Sequence, residues 1–214
     1  MKNIRFFAFI LSIVSSSSLR AQQVIPDLTA IADSTIWLVY NRIATPDKSK
    51  GVYLDEKKGD GIAFLKNKSF GNVTIEADLK GKNIQGQSFV GILFHGLTEK
   101  VYDAVYFRPF NFKNPERKDF CIQYISHPQN TWFFLRDNFP GKYESSINPI
   151  LDPDEWFHVK IVINYPSVSV FVNNNSKPSL EVTQLSTQKS GTVGFYVANG
   201  SDGAFKNLKI APSK

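Results

Sequence analysis

The chain has a single cysteine, Cys121, among its 214 residues. One thiol excludes an intramolecular disulfide framework and a zinc site built from several cysteines. Long apolar runs are also scarce, because the N-terminal run over 6–14 is shorter than the roughly 20 residues that cross a bilayer and no later run is long enough. We therefore expect no stable insertion into a membrane once that first segment is removed.

The N-terminal segment has the features of a secretory signal. Lys2 and Arg5 precede the apolar run, and small and polar residues lead to Ala21. The sequence predicts a signal peptide over 1–21 and an exported mature protein, periplasmic or secreted, over 22–214. Since Cys121 lies far from the predicted cleavage site, a lipid anchor has no support. About 190 residues then remain, which favours one domain.

The net charge of the chain is small. The formal charge of the full chain is +6, and removal of Lys2, Arg5 and Arg20 with the signal leaves +3. The other lysines are scattered through predicted turns and form no stripe, so nucleic acid is not an expected partner. The chain also lacks G-x-S-x-G, H-E-x-x-H and a phosphate-binding loop, so no motif indicates the enzyme classes that these patterns mark.

What the chain does have is a succession of short aromatic or β-branched segments bounded by Gly, Pro, Asn or Asp. In FGNVTIEADLKG the apolar residues alternate with polar ones, as in a strand with one packed and one solvated face. About a dozen such segments predict an all-β fold, a two-sheet antiparallel β-sandwich or jelly roll, closed by pairing of its first and last strands. Four central strands are predicted over 88–95, 102–108, 119–126 and 131–136.

The C-terminal third carries a family resemblance. The order EWFHVKIVI, VSVFVNN, GTVGFYV, GAFKNLKI over 154–210 resembles the second half of concanavalin A-like lectin/glucanase sandwiches, and FGNVTIEADLKG and SFVGILFHG are similar to their early strands. Within that superfamily the chain looks most similar to exported bacterial 3-keto-disaccharide hydrolase-like domains and to laminin-G-like modules. The resemblance implies a concanavalin A-like jelly roll and a carbohydrate ligand, an oligosaccharide or a polysaccharide.

The central segments YDAVYFRPFNF, CIQYISHP and TWFFLRDNFPGKYE combine aromatic rings with amide, guanidinium and imidazole groups. Rings stack on the apolar faces of pyranoses, and planar polar groups pair with sugar hydroxyls. Period-two alternation predicts one face that carries His95, Tyr106, Arg108, Gln123, Trp132 and Arg136. The ligand-binding candidates are the residues Tyr106, Arg108, Asn111, Gln123, Trp132 and Arg136. A slip of one residue in register would send each of them to the other side. In the alternative interpretation Trp132 is a core residue and Arg108 is tied to Asp103, Asp119 or a carbonyl.

Candidate proton-transfer groups are His95, Asp103 and His127, where Asp103 paired with either histidine could remove a proton α to the ketone of a 3-keto sugar. In the alternative, both histidines are structural and Asp103 pairs with Arg108 or Arg136. Laminarinase-type members carry E-x-D-x-x-E or E-x-D-x-E, but here Glu76 and Asp78 are followed by Leu79-Lys80-Gly81. That departure argues against ordinary retaining glucanase chemistry.

No cofactor is expected, although Asn173, Asn174, Asn175 and Asp202 could offer oxygens to a structural Ca²⁺. Three functions stay open at this point. The first is carbohydrate binding on the aromatic and polar face, the second is processing of glycosides such as keto-sugars by a hydrolase or lyase, and the third is an interaction module without a small ligand. The first is favoured, because ligand-compatible side chains are present but no complete catalytic set is.

Overall fold

Two antiparallel sheets of seven strands each make up the computed structural model, which describes residues 22–213. The predicted signal peptide lies outside the described residues. The strands are β1 (Trp37–Tyr40), β2 (Ala44–Pro46), β3 (Val52–Lys57), β4 (Gly61–Leu65), β5 (Val73–Lys80), β6 (Val90–Thr98), β7 (Val101–Phe107), β8 (Ile122–His127), β9 (Glu144–Ser145), β10 (Phe157–Asn164), β11 (Ser167–Val172), β12 (Leu180–Thr183), β13 (Thr192–Val197) and β14 (Ser201–Pro212). The predicted all-β sandwich is confirmed.

The first sheet has the strand order β1-β4-β13-β6-β7-β8-β9, and the second has the order β12-β11-β10-β5-β14-β3-β2. Apolar side chains at every second position fill the space between the sheets. On β5 and β10, for example, Ile75 and Ile161 are direct cross-strand partners and both are fully buried. The intervening Thr74 and Val162 are only half-buried on the outer face. The alternation predicted from the sequence is therefore confirmed on both strands.

Closure of the second sheet differs from the prediction. The C-terminal strand β14 lies between β5 and β3, whereas β1 pairs with β4 in the other sheet. Only an isolated bridge joins the N-terminal Val24 to Ile210. On β14 the register shifts between Lys206 and Lys209, and this irregularity lets Phe205, Leu208 and Ile210 all be buried.

The strand predicted over 131–136 is wrong, because this segment forms the one α-helix described, α1 (Trp132–Asn138). The side chain of Thr131 caps it by accepting a hydrogen bond from the Phe134 amide at 3.3 Å. Four consecutive apolar residues do not alternate, so a strand would expose two of them on each face, whereas the helix buries Leu135. The helix places Trp132 and Arg136 one turn apart on the same side. No helix in residues 22–213 has the length and apolarity needed to span a bilayer.

Three short strands were not predicted from the sequence, and one of them shapes the site. Strand β9 contains only Glu144 and Ser145, too few residues to show a period. It pairs with β8 so that Glu144 lies opposite Gln123. This pairing brings a carboxylate to the edge of the first sheet beside the predicted ligand-binding face.

Candidate functional site

A cleft of about 790 Å³ opens on the face of the first sheet that points away from the second sheet. The opposite face is core, where the rings of Phe107 and Phe157 lie 5.1 Å apart across the two sheets. One cross-strand row on the cleft side comes from five neighbouring strands and consists of Tyr196, Gly91, Tyr106, Gln123 and Glu144. Antiparallel register thus assembles the floor from residues far apart in sequence.

Gly91 makes this floor possible. A Cβ atom at this position would lie 2.6 Å from the Tyr106 Cβ, so no larger residue fits without a shift. With the side chain absent, Tyr106 and Tyr196 approach across it, and their ring centroids are 5.6 Å apart. Burial raises the pKa of Tyr106 to about 12, so its hydroxyl is protonated at neutral pH.

Arg108 lies buried beside the floor, at the point where β7 ends and Pro109 begins a short 3-10 helix. Its guanidinium donates to the Phe120 carbonyl at 3.0 Å, to the Tyr106 hydroxyl at 2.8 Å and to Gln123 Oε1 at 3.2 Å. Burial lowers the pKa of Arg108, because charge is costly to desolvate. The predicted alternative of a carbonyl partner is confirmed, whereas neither Asp103 nor Asp119 pairs with it.

Two of the five N–H groups of Arg108 have no acceptor among residues 22–213, and no described carboxylate lies within ion-pair distance. Asn111 adjoins this arginine, since its Nδ2 donates to the same Phe120 carbonyl at 3.0 Å. That bond fixes the amide orientation and leaves Asn111 Oδ1 buried with no partner in the described part of the chain. Both side chains line the cleft. The site therefore offers a free donor and a free acceptor side by side.

Helix α1 provides one wall. Arg136 makes a two-pronged ion pair with Glu144, with Nε to Oε2 at 3.0 Å and Nη2 to Oε2 at 2.5 Å. Its guanidinium also stacks over Phe120 at 4.3 Å and over Trp132 at 5.2 Å. The Trp132 side chain is 45% exposed, so it is a rim residue and not part of the core. Helix α1 thus contributes an aromatic ring and a guanidinium paired with Glu144 to the rim of the cleft.

Asp60 and His127 lie in the same cleft, and Asp60 was not predicted from the sequence. The Asp60 Oδ2 is 4.0 Å from His127 Nε2. His127 stacks on Tyr102 with a centroid distance of 5.0 Å. Burial raises the pKa of Asp60, opposed in part by His127, the Tyr196 hydroxyl and Arg42. Burial lowers the pKa of His127. The only sequence signal for Asp60 was a Gly-Asp-Gly turn, which indicates a loop and no more.

The other two predicted proton-transfer residues do not reach the cleft. His95 and Asp103 are both fully buried toward the second sheet. Asp103 accepts hydrogen bonds from Ser186 Oγ at 2.5 Å, from Gln184 Nε2 at 3.3 Å and from the Tyr124 hydroxyl. Burial raises the pKa of Asp103. The predicted pairing of Asp103 with Arg108 or Arg136 is not seen either.

His95 leaves the cleft face because the strand is irregular there. The pairing of β6 with β7 shifts register between Phe94 and Thr98, and His95 has a φ of 47°, in the left-handed region. Regular alternation would have kept it on the side of Gly91, but this conformation turns its ring inward, where Nε2 lies 3.1 Å from the Gly71 carbonyl. Of the three predicted proton-transfer groups, only His127 has access to a ligand.

The predicted ligand-binding residues meet in one place. Tyr106, Arg108, Asn111, Trp132 and Arg136 all line the cleft, and Gln123 lies just beneath it as a partner of Arg108. Glu76 and Asp78 are elsewhere, since both contact His158 on the outer face of the second sheet.

Three of the four residues considered for Ca²⁺ already use their side-chain oxygens within the protein. Asn173 Oδ1 accepts from the His158 amide at 2.8 Å, and Asn175 Oδ1 accepts from the Lys177 amide at 3.1 Å. Asp202 accepts from the Tyr53 hydroxyl and pairs with Lys82. Within residues 22–213 no group of three or more His, Cys, Asp or Glu side chains is arranged to hold a metal ion.

Comparison with known proteins adds a family and a fold. The sequence model described as the 3-keto-alpha-glucoside-1,2-lyase-like domain matches residues 32–211, most of the chain. No curated protein sequence matches this chain closely enough to count as a relative.

Solved structures with the same architecture are distant in sequence. The carbohydrate-binding module CBM66 from Bacillus subtilis is 15% identical, with a TM-score of 0.58 over 81% of this chain and 94% of that one. A Bacillus subtilis protein of unknown function with a galectin-like fold is 12% identical, with a TM-score of 0.59 over 90% and 96%. The Ca²⁺-bound exoplasmic/lumenal domain of VIP36 is 13% identical, with a TM-score of 0.61 over 90% of both chains. At these identities the likeness establishes a lectin-like sandwich fold.

Proposed function

Because the chain belongs to the 3-keto-alpha-glucoside-1,2-lyase-like domain family, we propose that its cleft binds a saccharide. The observation that carries this proposal is the pair of free polar groups beside the Phe120 carbonyl. A sugar hydroxyl is both a donor and an acceptor, so it can give its proton to Asn111 Oδ1 while accepting from Arg108. Unpaired buried polar groups are costly, and a ligand that pairs them recovers that free energy.

The remaining contacts have complementary roles. Trp132 offers an exposed ring for stacking on a pyranose, and the Arg136–Glu144 pair holds the rim in place. Tyr106 and Gln123 fix the Arg108 fork from below. An interaction module without a small ligand would account for these unpaired groups only if its partner inserted a polar group into the cleft.

A second function is favoured by the titratable groups in the same cleft. Asp60 and His127 could support elimination from a 3-keto glycoside, the chemistry in the family description. In such a lyase the ketone makes the C2 proton acidic, and Arg108 would stabilise the charge that develops on the C3 oxygen. Binding and elimination would use one site.

A matched pair of ligands tests both functions. Methyl α-D-glucopyranoside and its 3-keto derivative differ only at C3, and a panel of oligosaccharides extends the comparison. A ligand at a hundred times its Kd adds about 2.7 kcal/mol to stability, several degrees in Tm. A rise in Tm without product supports binding, and a rise in Tm with release of methanol supports the lyase function. The absence of any shift across the panel would overturn the saccharide proposal.

Trp132→Ala is expected to weaken saccharide affinity about tenfold or more, since the stacking platform is lost. Stability should change by less than about 1 kcal/mol, because the ring is nearly half exposed. Phe134→Ala is the matched control, as Phe134 belongs to the same helix, is 41% exposed and does not line the cleft. Calorimetric titration measures both affinities, and unfolding of Trp132→Ala would show that the ring is structural.

Export is a further part of the proposed function. Cleavage after Ala21 would release residues 22–214 to the periplasm or the medium, where glycans are met. The intact mass of protein recovered from the extracellular or periplasmic fraction checks this, and a mass that retains residues 1–21 would contradict it.

A further inference from the structure

Saccharide binding alone does not explain why an acid, Asp60, and a base, His127, face each other in the cleft. Asp60 precedes β4 and His127 ends β8, and these strands are four places apart in the first sheet. A flat sheet would hold them about 19 Å apart at the usual strand spacing. Their side chains nevertheless approach to 4.0 Å, so the sheet curves and the pair meets over the tyrosine floor.

Aromatic rings surround the pair. His127 is stacked face to face on Tyr102, with 8° between the ring planes. Asp60 is held near Tyr196, whose own ring lies 6.0 Å from Tyr102. The two side chains are still 35% and 20% exposed, for Asp60 and His127 respectively, so a ligand in the cleft can touch both.

We propose that Asp60 and His127 are the proton-transfer pair of this cleft, with His127 removing the C2 proton of a 3-keto glycoside and Asp60 protonating the departing C1 oxygen. This inference rests on the lyase function proposed above. The C2–H electrons form the C1=C2 double bond, and the C1–O electrons leave with the aglycone oxygen, which takes the Asp60 proton. The products are an alcohol and a sugar with a C1=C2–C3=O system. The imidazolium then returns its proton to the carboxylate, so no other reactant is consumed.

Burial prepares the two groups for these roles. It raises the pKa of Asp60 and lowers the pKa of His127, which favours a protonated acid beside a neutral base. Arg42 and the Tyr196 hydroxyl oppose the shift of Asp60, and the uncharged Tyr102 ring is the group packed on His127. Elimination should therefore fall at low pH, where His127 is protonated, and at high pH, where Asp60 has lost its proton.

Proton exchange in D₂O separates the two roles. NMR of a methyl 3-keto-α-glucoside reports loss of the C2 proton signal and release of methanol independently. Asp60→Asn should retain C2 exchange but lose methanol release by about a hundredfold or more. A 4-nitrophenyl 3-keto-α-glucoside should restore its elimination, because nitrophenolate leaves without a proton. His127→Gln should lose exchange and elimination with both substrates.

The controls make each result decisive. His158→Gln removes a histidine that also faces carboxylates, but on the outer face of the second sheet, and should behave as wild type. Equal methanol release by Asp60→Asn and wild type, or C2 exchange by His127→Gln, would overturn the pair while leaving the lyase function intact. The remaining outcome is a wild-type protein that shows a thermal shift with the ketone and yet catalyses neither C2 exchange nor elimination. That outcome would overturn both the lyase function and the proposed proton-transfer pair.

Discussion

Replacing Arg108 by methionine should reduce the affinity for a 3-keto glucoside by about a hundredfold. Hydrogen bonds to a charged group contribute about 1.5–3 kcal/mol, and 2.7 kcal/mol corresponds to two decades in Kd. Arg108 has no carboxylate partner among the described residues, so its charge is available to a ligand oxygen. Calorimetric titration of wild type and variant measures the difference.

The same substitution should also lower stability by about 1–3 kcal/mol. It leaves Gln123 Oε1 and the Tyr106 hydroxyl oxygen without the donor that both now share, while the Phe120 carbonyl keeps only Asn111 Nδ2. Arg108→Lys keeps the charge but loses the planar fork, so it should recover part of the stability and little of the affinity. Lys113→Met removes a cation from an exposed ion pair with Asp152 and is the control for net charge.

Affinity of Arg108→Met within threefold of wild type would contradict the proposed site, provided that the titration is performed well below the Tm of the variant. The unmodified methyl glucoside provides a second comparison. If Arg108 contacts the C3 oxygen, the variant should lose more affinity for the ketone than for the alcohol. Equal losses would instead place Arg108 on another hydroxyl.

Much of this site could be predicted from alternation alone. Tyr106 and Gln123 occupy regular strands, and neighbouring strands happen to pair them directly. Their common face therefore follows from a period of two, once the register is known. Arg108 and Asn111 were found because they continue the same polar and aromatic stretch, although both lie beyond the end of β7.

Predictions failed where local structure departs from a period. Trp132 and Arg136 were predicted to share one face of a strand. They do line the cleft, but because they lie one turn apart on a helix. His95 does not lie on the predicted face, because the register shifts near it and its φ is positive. Hydrophobic periodicity does not predict such an irregularity. Asp60 was missed because its partner His127 comes from a distant strand, and only the curved sheet brings them together.

Asp103→Leu should destabilise the protein by about 3–5 kcal/mol. The carboxylate accepts from the Tyr124 hydroxyl, Ser186 and Gln184 in a fully buried position. Leucine leaves the Tyr124 and Ser186 hydroxyls without an acceptor, whereas Gln184 Nε2 keeps the Gln188 carbonyl at 2.6 Å. Each unsatisfied buried group costs about 1–3 kcal/mol. Urea unfolding measures the loss, which is a large fraction of the stability of a typical domain.

Asp103→Asn should cost far less and should change the pH dependence of stability. The pKa of Asp103 in the folded state lies above the ordinary value of 3.8, because burial disfavours the charge. The folded protein thus binds more protons than the unfolded chain between 3.8 and that raised value, and the contribution of Asp103 to stability falls as pH rises through this window. The asparagine variant lacks this loss, so its stability relative to wild type should increase as the pH rises above 3.8 through this window.

The two variants also separate a structural role from a catalytic one. A buried network predicts that Asp103→Asn retains saccharide binding and any C2 exchange, since Asp103 faces the second sheet and not the cleft. A stable Asp103→Asn protein that has lost exchange would restore Asp103 to the candidate proton-transfer groups. Equal destabilisation by leucine and asparagine would mean that the negative charge itself holds the network, because asparagine keeps one acceptor oxygen and leucine keeps none.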